Sequence, residues 1–312
     1  MKFNRYTLSG FLAILCWSST VAFSRALSEA LGPLTTGALI YTLGGLLGLA
    51  AASRQPGGLR LLLGMPKRYL LVCGGLFVTY MLLLYLAIGL AVSRAQVVAV
   101  GLANYLWPAL IMLFSLPILH KRARFWLWPG LLLALGGTWL AAAGKDALRL
   151  VSLFRGGESL LPVALALGAA VAWGLYSNLA HKYAPKQGSA VPLFLLVSGL
   201  AFLGLRGLAG ETSRWNWSLT PTLLYMSIFP AWLGYQLWDL AMQRGSLTLV
   251  TAASYFTPLL STLVSILVLG LTPDPWLGLA ALLVMGGAVL SQLGVVAADH
   301  PNEVCLSHEE AQ

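Results

Sequence analysis

The chain has 312 residues, of which 58% are hydrophobic and only 9% charged. A water-soluble domain carries roughly 25% charged residues, so nineteen basic and ten acidic side chains cannot keep a surface of this size wet. That excludes a soluble enzyme, a secreted disulfide module and a disordered chain, and it leaves a protein whose outside faces lipid.

The formal charge of +9 does not point to nucleic acid. Its basic residues lie in short clusters between long apolar runs, as the positive-inside rule describes. Cys16, Cys73 and Cys305 stand apart from one another, as do His120, His181, His300 and His308. No disulfide framework, metal set or cofactor motif is expected from them. The opening Met-Lys-Phe-Asn-Arg followed by an apolar run resembles a signal peptide. Nine further spans follow, so it is read as an uncleaved first helix.

About 20 apolar residues cross a bilayer as a helix. Charge, proline and glycine divide the chain into ten such stretches, near 7–28, 33–53, 69–91, 95–118, 125–143, 160–181, 190–209, 220–243, 246–270 and 276–297. Stretches this long are not barrel strands, so an all-α membrane fold is expected. With the N-terminus cytoplasmic, twelve basic residues fall inside and seven outside, which puts both termini in the cytoplasm. Residues 145–159 form the extracytoplasmic linker, with room for a short interfacial helix, and 298–312 read as a disordered cytoplasmic tail.

The chain also repeats itself. At an offset of 150, Gly136-Gly137 falls on Gly286-Gly287, Trp126 on Trp276, and Tyr85 on Tyr235. The run Ala103-Asn104-Tyr105-Leu106-Trp107-Pro108 falls likewise on Ala253-Ser254-Tyr255-Phe256-Thr257-Pro258, and Trp17 meets Trp173 at an offset of 156. The halves are 1–144 and 160–297. Five spans in each half return the chain to the opposite side, so the second half enters inverted around a central cavity. Secondary transporters recur to that construction. Gly44, Gly45, Gly48, Gly136, Gly137, Gly286 and Gly287 suit close helix contacts. Gly74-Gly75 suits either packing or a hinge.

Asp239 lies within the eighth span in Tyr235-Gln236-Leu237-Trp238-Asp239, surrounded by apolar sequence. A carboxylate there faces a cavity or a partner. Two readings are open: structural pairing or gating with Arg244, or a role in substrate or proton handling. Pro108 and Pro258, at matched positions, and Pro230 each remove a backbone donor and kink or break a helix. Trp126, Trp128, Trp215, Trp217 and Trp276 read as interfacial belt residues. Trp17, Tyr80, Tyr85, Asn104, Tyr105, Trp107, Trp173, Tyr176, Asn178, Tyr235, Trp238 and Tyr255 lie deeper or beside proline, in spans that match across the repeat. An aromatic wall with a few amides and hydroxyls suits a small molecule with an apolar or ring-bearing part.

These features resemble the drug/metabolite transporter superfamily and its ten-span proteins of the EamA type, over residues 5–297. Gly10-Phe11-Leu12-Ala13-Ile14-Leu15-Cys16-Trp17-Ser18, Leu86-Ala87-Ile88-Gly89-Leu90-Ala91, the two Tyr-x-x-Pro runs and Leu237-Trp238-Asp239-Leu240-Ala241-Met242-Gln243-Arg244-Gly245 carry the likeness. Within that superfamily the bacterial aromatic amino acid exporters are the most similar subgroup. The resemblance implies an alternating-access carrier of the bacterial inner membrane, not an enzyme, working as a monomer or weak homodimer without cofactor. Its cavity would be lined by helices one, three, four, six, eight and nine, with helices five and ten peripheral. Amide and hydroxyl groups of Asn104, Gln236 and Ser254 would hold the ends of a zwitterionic amino acid. Trp17, Tyr105, Trp173, Trp238 and Tyr255 would receive its side chain. No GxxxxGK[ST] motif is present, so energy would come from gradients. Export of another metabolite or drug, and a non-transporting sensor or scaffold, stay open as alternatives.

Overall fold

The computed structural model describes residues 4–55, 57–92, 94–143, 159–185, 188–269 and 276–297. The expected linker helix at 145–158 and the tail at 298–312 lie outside them. The fold is an all-α multi-pass membrane bundle of fifteen described helices. In the first half these are α1 (Arg5–Ser18), α2 (Thr20–Leu31), α3 (Pro33–Ser53), α4 (Gly58–Leu63), α5 (Gly74–Leu90), α6 (Arg94–Asn104), α7 (Trp107–Ile118) and α8 (Leu127–Ala143). In the second half α9 (Leu161–Tyr183), α10 (Val191–Ala209), α11 (Thr220–Met226), α12 (Tyr235–Arg244), α13 (Leu247–Ser254), α14 (Thr257–Leu269) and α15 (Trp276–Leu293) follow. Five stretches are long and apolar enough to cross a membrane unaided: Pro33–Ser53, Tyr69–Leu90, Ala99–Ile118, Leu161–Tyr183 and Val191–Ala209. The others are shorter or interrupted.

The interruptions have local causes. Pro108 and Pro258 each occupy the second position of a new helix, α7 and α14, after two-residue turns at Tyr105–Leu106 and Tyr255–Phe256. Proline has no N–H to donate and its ring crowds the preceding turn, so α6 and α13 stop there. A third break, at Ser19 between α1 and α2, has no proline; there Ser18 and Ser19 donate back to the carbonyls of Leu15 and Cys16, and Ser19 pairs with the Tyr225 hydroxyl at 2.8 Å. Tyr69–Cys73 and Ser227–Gly234, the latter holding Pro230, are π-helical entries into α5 and α12. Neither the Ser19 break nor the π segments are expected from the sequence. One short ribbon accompanies the helices: Lys121–Ala123 (β1) pairs antiparallel with Val295–Ala297 (β2). That ribbon ties the end of α7 to the end of α15.

Glycine sets how closely the helices approach. A Cβ on Gly137 would meet the Val284 backbone nitrogen at 2.7 Å and the Ala280 carbonyl oxygen at 2.9 Å. One on Gly287 would meet Ala134 nitrogen at 2.2 Å and the Gly130 carbonyl oxygen at 2.7 Å. These contacts between α8 and α15 are reciprocal at the repeat offset. The same holds between α3 and α10, where Gly45 faces the backbone of Leu196 and Gly199 faces that of Thr42. Gly44 and Gly48 are as tightly placed, against Ser227 and against Pro192 and Trp232. Gly136 and Gly286 have open space, so only the second glycine of each pair makes the contact. Gly74 abuts the Phe194 ring and Gly75 nothing.

Two ends of the bundle can be told apart. At the basic end Asn4 donates to the Arg244 carbonyl, the Thr7 hydroxyl accepts from Ser246 N–H, and Lys121 donates to Thr248. At the other end Glu211 accepts from the N–H groups of Leu34 and Thr35, capping α3. Gly32 makes this approach possible: its φ is +81°, and a Cβ there would sit 2.3 Å from the Glu211 side chain. Large apolar side chains such as Leu63, Leu71, Leu132, Leu208 and Leu267 are exposed around the outside, as a lipid-facing surface requires. Trp126, Trp128, Trp215, Trp217 and Trp276 are exposed too.

Candidate functional site

The centre of the bundle is aromatic. Trp17 of α1, just before the Ser19 break, lies 5.6 Å from Trp173 of α9, 5.0 Å from Tyr235 and 5.2 Å from Trp238 of α12, between ring centroids. Trp173 is in turn 4.7 Å from Tyr80 and 4.9 Å from Tyr176, and Trp107 stands edge-on to Trp238 at 5.3 Å. Each such pair contributes about 0.5–1.5 kcal/mol beyond its area. Helices α1, α5, α7, α9 and α12 all contribute. Trp17 donates to the Pro230 carbonyl at 3.1 Å, and Trp238 to the Ser177 hydroxyl at 3.2 Å. Both ring nitrogens are thereby fixed.

Polar groups reach this wall from the helix breaks. Asn104, the last residue of α6, faces the Tyr80 hydroxyl, and its Oδ1 has no protein partner. Gln236, next to Tyr235 on α12, has a buried Oε1 without a protein partner. Tyr105, at the turn itself, is half-buried. Tyr85 lies in an adjoining group with Tyr41 and Phe202, at 5.9 and 4.9 Å, which touches the main cluster through Tyr41 and Tyr235. Asn178 is turned away: its amide donates to the carbonyls of Ile111 and Gly174, pinning α7 to α9.

Two more of the expected residues do not join the aromatic cluster. Tyr255 packs among Ala109, Met112, Leu259 and Val284, in the separate cluster between α7, α8, α13 and α15. The Ser254 hydroxyl donates to its own helix at Thr251, and the carbonyl that Pro258 frees accepts from the Thr257 hydroxyl at 2.7 Å. The matched position in the first half is Trp107, which has no hydroxyl to offer. The repeat is therefore unequal at this point: the Ser254 and Thr257 hydroxyls are spent on their own backbone, whereas the Asn104 Oδ1 is not.

Asp239 is fully buried at the basic side of the aromatic cluster. Its Oδ1 accepts from the Tyr176 hydroxyl at 2.8 Å, and its Oδ2 from Tyr69 and from Gln243 Nε2, each at 2.7 Å. Ser189 also bonds to it. The sequence pairing with Arg244 is replaced by these neutral donors. The reason is helical geometry: Gln243 stands at i+4, on the same face as Asp239, whereas i+5 does not. Arg244 instead donates to the Tyr6 hydroxyl at 3.0 Å and lies over the Tyr6 ring. Tyr69, Phe77 and Phe194 are site residues that sequence reasoning missed. Among the described residues no group of three His, Cys, Asp or Glu side chains is placed to hold a metal.

Residues 4–143 and 160–293 match the EamA-like transporter family, once in each half. The aromatic amino acid exporter YddG of Escherichia coli (strain K12) is 32% identical over 296 residues, 94% of this chain and 98% of that protein. YddG of Ancylobacter novellus is also 32% identical, over 94% and 99% of the two chains. An uncharacterized transporter of Bacillus subtilis, YwfM, is 27% identical over 93% and 95%. A solved crystal structure superposes with a TM-score of 0.78 at 28% identity, covering 94% of this chain and 99% of that one. With its helices broken in the middle of the bundle around an aromatic centre, and with both halves matched separately, this chain belongs to the EamA-like transporter family.

Proposed function

We propose that the protein is an alternating-access carrier exporting aromatic and other neutral amino acids across the bacterial inner membrane, with the cluster of Trp17, Trp173, Tyr235 and Trp238 as its substrate chamber. That cluster is the observation that carries the reading. Four rings from three helices meet beside breaks in α1/α2 and α6/α7, where an apolar or ring-bearing side chain finds a complementary wall. The open acceptors of Asn104 and Gln236 suit an α-ammonium group. The half-helix end at Trp107–Pro108 suits a carboxylate through its backbone dipole. Similarity to the YddG exporters supports the substrate class.

The reciprocal glycine contacts support ten spans in two inverted five-helix repeats, 1–144 and 160–297, one rocking against the other. The basic end is cytoplasmic in this reading, because Arg5, Arg54, Arg60, Lys67, Arg68, Arg122 and Arg124 gather there. Both termini then face the cytoplasm. Asp239 is the gating residue and the candidate proton carrier. The test is flux of radiolabelled phenylalanine into proteoliposomes, with tyrosine, threonine, riboflavin and a phosphate ester as competitors, and with and without a pH gradient. Saturable flux that tyrosine inhibits and the phosphate ester does not supports the assignment. Absence of flux from folded protein removes amino acids from it.

A further inference from the structure

The chamber and the closed basic end share one side chain. The Tyr176 ring lies 4.9 Å from Trp173 and 5.4 Å from Phe77, inside the aromatic wall, while its hydroxyl donates to Asp239 at 2.8 Å. Asp239 is held from the other side by Tyr69, at the start of the third span, and by Gln243. Tyr69 also accepts from the N–H of Ala190 at 3.2 Å, at the head of α10. The carboxylate therefore fastens four elements where the bundle must part to face the basic side. All its donors among the described residues are neutral, so these hydrogen bonds hold the buried group in place, and losing one is costly enough to matter.

We propose that Tyr176 is the positioning residue that couples chamber occupancy to opening of the basic end: a ring entering beside Trp173 moves the Tyr176 ring, and that motion withdraws its hydroxyl from Asp239. This rests on the chamber being the substrate site. Tyr69 closes the same lock without touching Trp173, so the two phenols have separable roles. Tyr69 stands edge-on to Phe194, at 5.5 Å, and so meets the aromatic wall through Phe194 and Phe77 rather than through Trp173.

Cys73 supplies a reporter. It is fully buried and ends the π segment that begins at Tyr69, one helical turn from the phenol that closes the lock. In a protein with Cys16 and Cys305 replaced by serine, maleimide labelling of Cys73 reads opening of the lock. Losing one hydrogen bond to a charged group shifts the closed–open balance by roughly tenfold to a hundredfold. Tyr176→Phe and Tyr69→Phe should both label faster than the parent by about that factor. Phenylalanine should accelerate labelling in the parent and in Tyr69→Phe, but add nothing in Tyr176→Phe. A Tyr176→Phe protein that labels at the parental rate, or that keeps the full phenylalanine response, overturns the proposal. So does a parent that transports phenylalanine with no change at Cys73. A parent without flux overturns the substrate assignment instead, and the two failures are told apart by the proteoliposome assay. Should Tyr176→Phe not fold, Asp239→Asn breaks the same lock from the carboxylate and must give the same faster, phenylalanine-insensitive labelling.

Discussion

Replacing Gly287 by alanine adds one methyl group to the surface where α15 crosses α8. It lands 2.2 Å from the Ala134 nitrogen and 2.7 Å from both the Ala134 Cα and the Gly130 carbonyl oxygen, all backbone atoms, whereas ordinary contact begins near 3.4 Å. No rotamer relieves that clash, so the helices must separate by about 1 Å along this line. Overpacking of this kind costs about 1–3 kcal/mol, and a backbone collision belongs at the upper end. Gly286→Ala is the internal control. Nothing lies within 4 Å of its Cβ, so the change should be neutral or stabilise by about 0.4–1 kcal/mol through helix propensity and the unfolded chain. Thermal unfolding in detergent, followed by size-exclusion recovery, should lower the midpoint of Gly287→Ala by several degrees and leave or raise that of Gly286→Ala. Gly137→Ala and Gly136→Ala should repeat the pattern across the pseudo-symmetry. Equal midpoints within each pair would refute the close approach of α8 and α15.

Trp173→Ala removes a ring at the heart of the chamber and should abolish phenylalanine flux; a buried tryptophan also contributes about 3–5 kcal/mol, so Trp173→Phe, which keeps the packing, should retain partial flux with altered competition by tyrosine. Pro108→Ala with Pro258→Ala should let α6–α7 and α13–α14 run on and cripple transport in folded protein, and normal flux in the double variant would remove the breaks from the mechanism. Burial pushes Lys121, in the ribbon outside the spans, down from 10.5 to about 8. Between those values the unfolded chain binds the extra proton, so stability should rise with pH from about 8 to 10.5, and Lys121→Met should flatten that rise in a thermal-unfolding pH series. Cysteines at residues 60 and 212 should be labelled from opposite sides of the membrane; labelling from one side would contradict the inverted repeat.

Much of the bundle was legible because the chain carries its own duplicate. The 156-residue offset of Trp17 and Trp173 brought together two residues that meet in the chamber. The matched prolines located two of the three helix breaks. The Ser19 break stayed hidden, because serines that bond back to their own helix leave no mark in an apolar run. Duplication also misled. Tyr255 shares its motif with Tyr105, but two inverted halves need not present matched residues to the same space, and Tyr255 turns toward α15 instead. Tyr69 follows Lys67-Arg68 at the start of an apolar run, where nothing in the sequence singles it out; only packing reveals that it reaches inward to Asp239. The sequence pointed Asp239 to Arg244, whereas the i+4 residue Gln243 bonds it from its own helix, and Tyr69 and Tyr176 reach it only through tertiary packing.

The central claim is that one aromatic chamber is presented alternately to the two sides of the membrane. Counterflow tests it most directly: proteoliposomes preloaded with unlabelled phenylalanine are diluted into labelled phenylalanine with no ion gradient. The account predicts transient accumulation of label above the external concentration, lost in Trp173→Ala. Uptake no greater than in unloaded or protein-free liposomes would contradict it.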